Sequence, residues 1–176
     1  MFDFLRILIH FFDTNNIPYM LSGSVAMSLY TQPRFTRDYD FVVHLKDEHI
    51  QQLLKSFNEG YYINDESVKE AIRDQTMFNI IDHKSGYKAD FMILKNEPFR
   101  QSEFRRRKKV KFLDINISIV SVEDLLISKI IWIQEIQSGV QIEDIKSLSI
   151  LADLDWSYVN SWIRELNLKT FNLLEK

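Results

Sequence analysis

Along the chain the spacing of apolar and polar positions changes several times, and each change marks an element. Leu5, Leu8, Ile9 and Phe12 recur at helical spacing in a segment interrupted by Asp3, Arg6 and His10, which predicts an amphipathic helix over 2–15. The run Ile17-Pro18-Tyr19-Met20-Leu21 reads as a strand (17–22), with proline near its start, where a missing N–H is tolerable. Ser22-Gly23-Ser24 then leads into Val25-Ala26-Met27-Ser28-Leu29-Tyr30, a helical stretch over 24–31. Aromatic and β-branched residues dominate 39–43, so 38–45 is a strand. A helix over 47–58, a short strand near 60–64 and a helix over 66–73 follow. Two apolar runs, separated by Asp82-His83-Lys84-Ser85-Gly86, predict a β-hairpin over 76–94. Strands near 107–119 precede helices over 121–137, 141–151 and 155–165, and no element is assigned to 95–106. Strands flanked by helices, with a hairpin in the middle, argue a mixed sheet of α/β or α+β type. Residues 1–120 would form its core, and 121–176 a C-terminal helical part packed on that core as a single compact unit, closing one side of a cleft.

Two carboxylates, Asp38 and Asp40, stand in the predicted strand 38–45. Side chains two apart on a strand share a face, so both point the same way out of an otherwise apolar element. Adjacent carboxylates raise each other's pKa unless a cation lies between them. Hard divalent cations such as Mg²⁺ take carboxylate oxygens and keep positions for phosphate oxygens, so the pair reads as a carboxylate-held metal site. An ordinary turn, with Arg34 or Arg37 pairing to the acids, is the other reading. A third acid, Asp90, stands among Ala89, Phe91, Met92 and Ile93 in the second strand of the hairpin. A carboxylate in a strand set to be buried is costly without a partner. It needs a cation, a hydrogen-bond network, an edge position, or a salt bridge with Lys88 or Lys95.

Gly23-Ser24 lies at a strand-to-helix turn, which exposes free backbone N–H groups and the positive end of a helix. Glycine lets the backbone approach closely and serine adds a hydroxyl donor, as a phosphate site requires. An ordinary cap at Ser22 or Ser24 fits locally as well. Further on, Ser121-x-x-Asp124 opens a helix like a capping box. Val122, Leu125, Leu126, Ile130, Ile133 and Ile136 then form a buried stripe, with Lys129 inside it. A lysine on the core side must snorkel to water or meet an anion. On that reading a Lys129→Met exchange keeps or raises stability. The run Arg105-Arg106-Arg107-Lys108-Lys109-Val110-Lys111 is either a solvated strand or loop face, or a docking surface for a triphosphate or an acceptor RNA.

Taken in order, Gly23-Ser24 at a helix start, Asp38-Tyr39-Asp40 on a strand and Asp90 on a later strand resemble the DNA polymerase β-like nucleotidyltransferases. The lead-in Arg34-x-Thr36-x-Asp38-x-Asp40 is similar to that of small bacterial and archaeal nucleotidyltransferase-like proteins, including the abortive-infection toxin (AbiEii-like) group. The basic run, Ser121-Val122-Glu123-Asp124-Leu125 with Lys129, and Ile142-Glu143-Asp144-Ile145 extend the resemblance over about 17–148. It departs where that branch carries a basic-acidic lead-in and this chain has Gly139-Val140-Gln141, which weakens a role for the Asp144 segment. The resemblance implies a nucleotidyltransferase-like fold and transfer of a nucleoside monophosphate from an NTP, ATP among them, to an acceptor hydroxyl. By the same resemblance Asp38 and Asp40 would bridge two Mg²⁺ or Mn²⁺ ions, and Asp90 would ligate one and help deprotonate the attacking hydroxyl. Gly23 and Ser24 would hold the β- and γ-phosphates, and Lys129 would neutralise the departing pyrophosphate. The acceptor stays open: small molecule, RNA or protein. So do two alternatives, a nucleotide-binding or interaction module without turnover and a toxin with an antitoxin partner.

Composition narrows the rest. Among 176 residues there is no cysteine, which excludes disulfides, cysteine–zinc sites and thiol catalysis. Four glycines and three prolines leave no flexible linker. A net charge of −3 carries no global nucleic-acid footprint. The four histidines show no ligand spacing. With no span of membrane length, a cytoplasmic location without membrane contact is the expectation.

Overall fold

The computed structural model describes residues 2–112 and 114–174. Leu113, inside the expected strand region 107–119, lies outside the described residues, as do Met1, Glu175 and Lys176 at the ends of the two expected parts. The chain runs α1 (Asp3–Thr14), β1 (Tyr19–Ser22), α2 (Gly23–Met27), β2 (Asp38–Val43), a one-turn 3-10 helix (Asp47–His49) and α3 (Ile50–Ser56). Next come β3 (Tyr61–Tyr62), α4 (Asp65–Asp74), β4 (Met77–Asp82), β5 (Lys88–Ile93) and α5 (Pro98–Arg105). The remainder is β6 (Lys108–Phe112), β7 (Ile115–Ile119), α6 (Val122–Trp132), α7 (Gly139–Ser149) and α8 (Trp156–Glu165). All seven strands join one mixed sheet in the order β3-β4-β5-β2-β1-β7-β6. The pairs β2–β5 and β1–β7 are parallel and the rest antiparallel, so the sheet is of the expected mixed type.

Alternation along β2 and β5 sorts their side chains by chemistry. Tyr39, Phe41 and Val43, with Ala89, Phe91 and Ile93, face the core under α1, α3 and α4. Rings dominate that core: Phe12 stacks on Tyr19 at 4.8 Å and Phe78 on Phe91 at 4.9 Å. On the opposite face Met20 and Val42 pack with Phe99 and Phe104 of α5, Leu125 and Ile130 of α6, Leu148 of α7 and Val159 of α8. The three acids and Lys88 lie on this second face, where β1 ends and β2 and β5 begin. No helix among the described residues is long and apolar enough to cross a membrane.

Two helix ends and one whole helix depart from the sequence pattern in ways that bear on the site. Helix α6 stops at Trp132, not 137, so Ile136 is 64% exposed instead of completing the buried stripe. Helix α2 ends at Met27 and passes into turns that carry the chain to Thr31. Helix α5 fills the stretch to which no element was assigned.

Candidate active site

The parallel register of β2 and β5 sets Asp38 opposite Lys88 and Asp40 opposite Asp90. Because each strand repeats its face every second residue, these four side chains form a square on one face of the sheet. Lys88 Nζ lies 2.7 Å from Asp90 Oδ2 and 3.7 Å from Asp38 Oδ1. The salt bridge foreseen for Asp90 is therefore made, with Lys88, whereas β5 is an interior strand and not an edge. One oxygen of Asp90 stays unserved. Among the described residues Asp90 Oδ1 is the one buried side-chain oxygen or nitrogen without a hydrogen-bond partner. Beside it, burial first, and then the charges of Asp90 and Asp38, push the Asp40 carboxyl above its ordinary range, while Lys129 and Lys88 pull it back.

Gly23 holds the turn against these acids. Its φ is +61°, and a Cβ placed on it would stand 1.8 Å from Asp40 Oδ2. No side chain at 23 fits while Asp40 keeps its position. Ser22 makes no side-chain capping bond, so an ordinary cap at that residue is not formed. The hydroxyl of Ser24 accepts a hydrogen bond from Arg34 Nη2. With only five residues, α2 adds little helix dipole, and its first amides are the groups a phosphate would meet.

Lys129 meets an anion, and the anion is Asp144. Its Nζ donates to Asp144 Oδ2 at 2.7 Å and to Gln141 Oε1 at 3.1 Å, with the lysine 6% exposed. Arg34 Nη2 reaches the same Asp144 oxygen at 3.4 Å. Asp144, the weaker sequence candidate, thus anchors two cations beside the Gly23–Ser24 turn. The stability expectation for Lys129→Met is corrected accordingly: removing the ammonium strands a buried carboxylate instead of relieving a buried lysine.

Gly23, Ser24, Asp40 and Lys129 line a cavity of about 490 Å³. Arg100 and Glu103 of α5, with Ser128 and Trp132 of α6, line the same cavity. Glu103 is buried, and its oxygens accept from Arg100 Nη1 at 2.9 Å and Ser128 Oγ at 2.6 Å. Burial raises its pKa, offset in part by the Arg100 charge. These α5 residues escaped the sequence reading, although Pro98 at the first helical position and Arg105 in the last turn are start and stop signals.

The basic run divides. Arg106 Nε donates to buried Asp124 at 3.0 Å and its guanidinium lies 3.9 Å from the Tyr158 ring centre, so it ties α5 to α6 and α8. Arg107 lies over Phe104, whereas Arg105, Lys108, Lys109 and Lys111 are exposed.

The donors fit a hard divalent cation in kind: all are carboxylate oxygens, one is buried without a partner, and burial and neighbouring negative charge push the Asp40 carboxyl above its ordinary range. In spacing they are not yet gathered. Among the described residues no group of three His, Cys, Asp or Glu side chains is placed to hold a metal ion. Lys88 stands between Asp38 and Asp90, and for Asp38 to join the other two it must swing away.

Residues 3–175 match the family model described as a nucleotidyltransferase of unknown function (DUF6036), and the chain belongs to that family. No curated protein matches it by sequence. Among solved structures it is similar to the antibiotic-resistance factor ANT(2″)-Ia, with 13% identity, a TM-score of 0.62, and 93% of this chain and 90% of that one covered. An antigenic nucleotidyltransferase-like protein from Paracoccidioides brasiliensis matches with 20% identity, a TM-score of 0.55, and 91% and 84% covered. The lincosamide antibiotic adenylyltransferase LnuA matches with 17% identity, a TM-score of 0.53, and 83% and 94% covered. At such identities the likeness is one of fold, and the fold is that of nucleotidyltransferases.

Proposed function

We propose that this member of the nucleotidyltransferase family transfers a nucleoside monophosphate from an NTP to an acceptor hydroxyl. The observation that carries the reading is the cross-strand pair of Asp40 and Asp90, with Asp90 Oδ1 unserved, set against a glycine turn that only an absent side chain allows. Asp38, Asp40 and Asp90 would hold Mg²⁺ or Mn²⁺. When bound, the cation would supply positive charge to the phosphate oxygens and polarise the attacking hydroxyl. The chain's own groups do the rest by position and charge. Amides at Gly23 and Ser24 would take the β- and γ-phosphates. Asp90 would help take the proton of the acceptor hydroxyl as that hydroxyl's oxygen bonds to the α-phosphorus and the bond from the α-phosphorus to the oxygen bridging it to the β-phosphate breaks. Lys129, held by Asp144, would face the charge of the departing pyrophosphate.

ANT(2″)-Ia has been solved with adenylyl-2″-tobramycin and LnuA with lincomycin, so a small molecule is the first acceptor class to test, before RNA and protein. The test incubates the purified chain with Mg²⁺ or Mn²⁺ and α-labelled NTPs against each class. Label should reach the acceptor from the α position and not from the γ position. Asp38→Asn and Asp40→Asn should lose transfer with unchanged folding, since a lost ligand removes several kcal/mol of charge stabilisation. Retention of more than about a tenth of the activity by either would sink the reading.

Lys88 favours a second reading, a nucleotide-binding module without turnover, because its ammonium already serves two of the three acids. Transfer by the wild type in the assay above rejects that module. An antitoxin partner is tested by co-purification from the native host.

A further inference from the structure

The cavity that Gly23, Ser24 and Asp40 line is also lined by a tryptophan that the proposed chemistry does not use. Trp132 closes α6 and is 60% exposed; Met77, 53% exposed, and Met92 line the same space from β4 and β5. Single exposed apolar side chains are ordinary on a protein surface. Here, however, an indole and two thioethers line one cavity, and three of the polar side chains that line it with them are spent on one another. Arg100 Nη1 donates to Glu103 and to Ser128 Oγ, which itself donates to Glu103. What Trp132, Met77 and Met92 offer a ligand is a flat π surface and adaptable sulfur, with Thr76 and Lys95 among the polar lining outside the Arg100, Glu103 and Ser128 set.

A nucleotide whose phosphates sit at Gly23 and Ser24 has to place its remaining atoms in the same volume of about 490 Å³, which is within the range of small-ligand sites. We propose that the part of this cavity lined by Trp132, Met77 and Met92 is a stacking site for the nucleobase, with Trp132 as its platform. The inference rests on the nucleotidyl-transfer reading above. Stacking follows ring area more than donor and acceptor pattern. Purine triphosphates therefore bind more tightly than pyrimidine ones, and adenine and guanine bind alike.

Calorimetric binding of ATP and of inorganic tripolyphosphate, both with Mg²⁺, to the full wild-type chain, Trp132→Phe and Trp132→Ala tests this. Loss of one stacking platform should weaken ATP about tenfold in Trp132→Ala and leave tripolyphosphate unchanged. Trp132→Phe, which keeps an aromatic face, should stay within about threefold of wild type. In the wild type, ATP and not tripolyphosphate should quench indole fluorescence. Unchanged ATP affinity in Trp132→Ala overturns the stacking site while leaving nucleotidyl transfer standing. Equal weakening of ATP and tripolyphosphate overturns it too, because the effect then lies at the phosphate end. A wild type that binds neither compound overturns the parent reading along with this one.

Discussion

Tyr39 and Asp40 are neighbours on β2, yet they face opposite sides of one sheet and obey opposite rules. On the Tyr39 side Phe41, Phe91, Phe12 and Phe78 are buried against one another. Burial pushes the Tyr39 phenol up to about 12, so it stays uncharged at neutral pH. On the Asp40 side acids are stacked across two strands, one carboxylate oxygen lacks a partner, and a lysine is lodged between charges. Burial and like charge burden Asp40 on this second face, and the Lys88 pairs offset that burden in part. Fold and chemistry thus divide the same two strands by residue parity.

This division predicts where stability and activity separate. Truncating the sealed face at Phe41→Ala should cost about 3–5 kcal/mol, the usual loss for a fully buried ring. Chemical denaturation would show it, and the fraction that remains folded should bind NTP normally; a loss under about 1 kcal/mol would contradict the assignment of stability to this face. Gly23→Ala should come next. An L residue at φ +61° strains the backbone by about 1–2 kcal/mol, and the added methyl must push Asp40 aside, for about 3 kcal/mol in all. Unlike Phe41→Ala, it should also abolish transfer in the protein that folds. An active, stable Gly23→Ala chain would mean that Asp40 does not need its present place.

The sealed face and the Asp-x-Asp strand were legible because their signals are local: aromatic and β-branched runs of period two, with acids breaking the pattern. The pairing of Asp40 with Asp90 was not, since register between strands fifty residues apart leaves no mark in either. Helix α5 was hidden for another reason. Its buried side is Phe99, Glu103 and Phe104, and a glutamate there reads as solvent-facing until Arg100 and Ser128 are seen to satisfy it. Ile136 misled in the opposite sense, continuing an apolar stripe past the helix end. The basic run read as one feature, but Arg106 is spoken for by Asp124 and Tyr158 while Arg105 is free in water.

Lys129 tests whether the two faces differ in sign as well as in content. An apolar stripe alone makes Lys129→Met neutral or stabilising, whereas the observed partner reverses this. Losing the ammonium leaves Asp144 buried with Arg34 at 3.4 Å as its remaining cation, so the variant should lose about 2 kcal/mol, less than a fully stranded charge would cost. Adding Asp144→Asn to Lys129→Met should restore most of that loss, because the stranded charge is gone. Melting curves of the single and double variants decide it. Additive losses would show that Lys129 and Asp144 do not act as a pair.

The smallest expected effect is a gain, and it is the one most specific to the acid face. In EDTA, Asp40→Asn should be as stable as wild type or more so at neutral pH. The sign follows from the direction of the shift. A carboxyl whose folded pKa is raised binds its proton more tightly when folded, so below the unfolded value of 3.8 it carries no penalty. As pH climbs from there through the raised folded value, the folded state loses stability, and above it the loss is constant. Asparagine cannot ionise, so the difference between variant and wild type should open over that window and then level off. Groups that do not act on Asp40 cancel in the difference, whereas the neighbouring charges that shift it enter the window with it. Added Mg²⁺ should reverse the order by stabilising wild type alone, through binding to the folded state. A stability gap that is the same at pH 3.5 and pH 7 would show that Asp40 carries no electrostatic burden, and the contrast between the two faces would lose its physical basis.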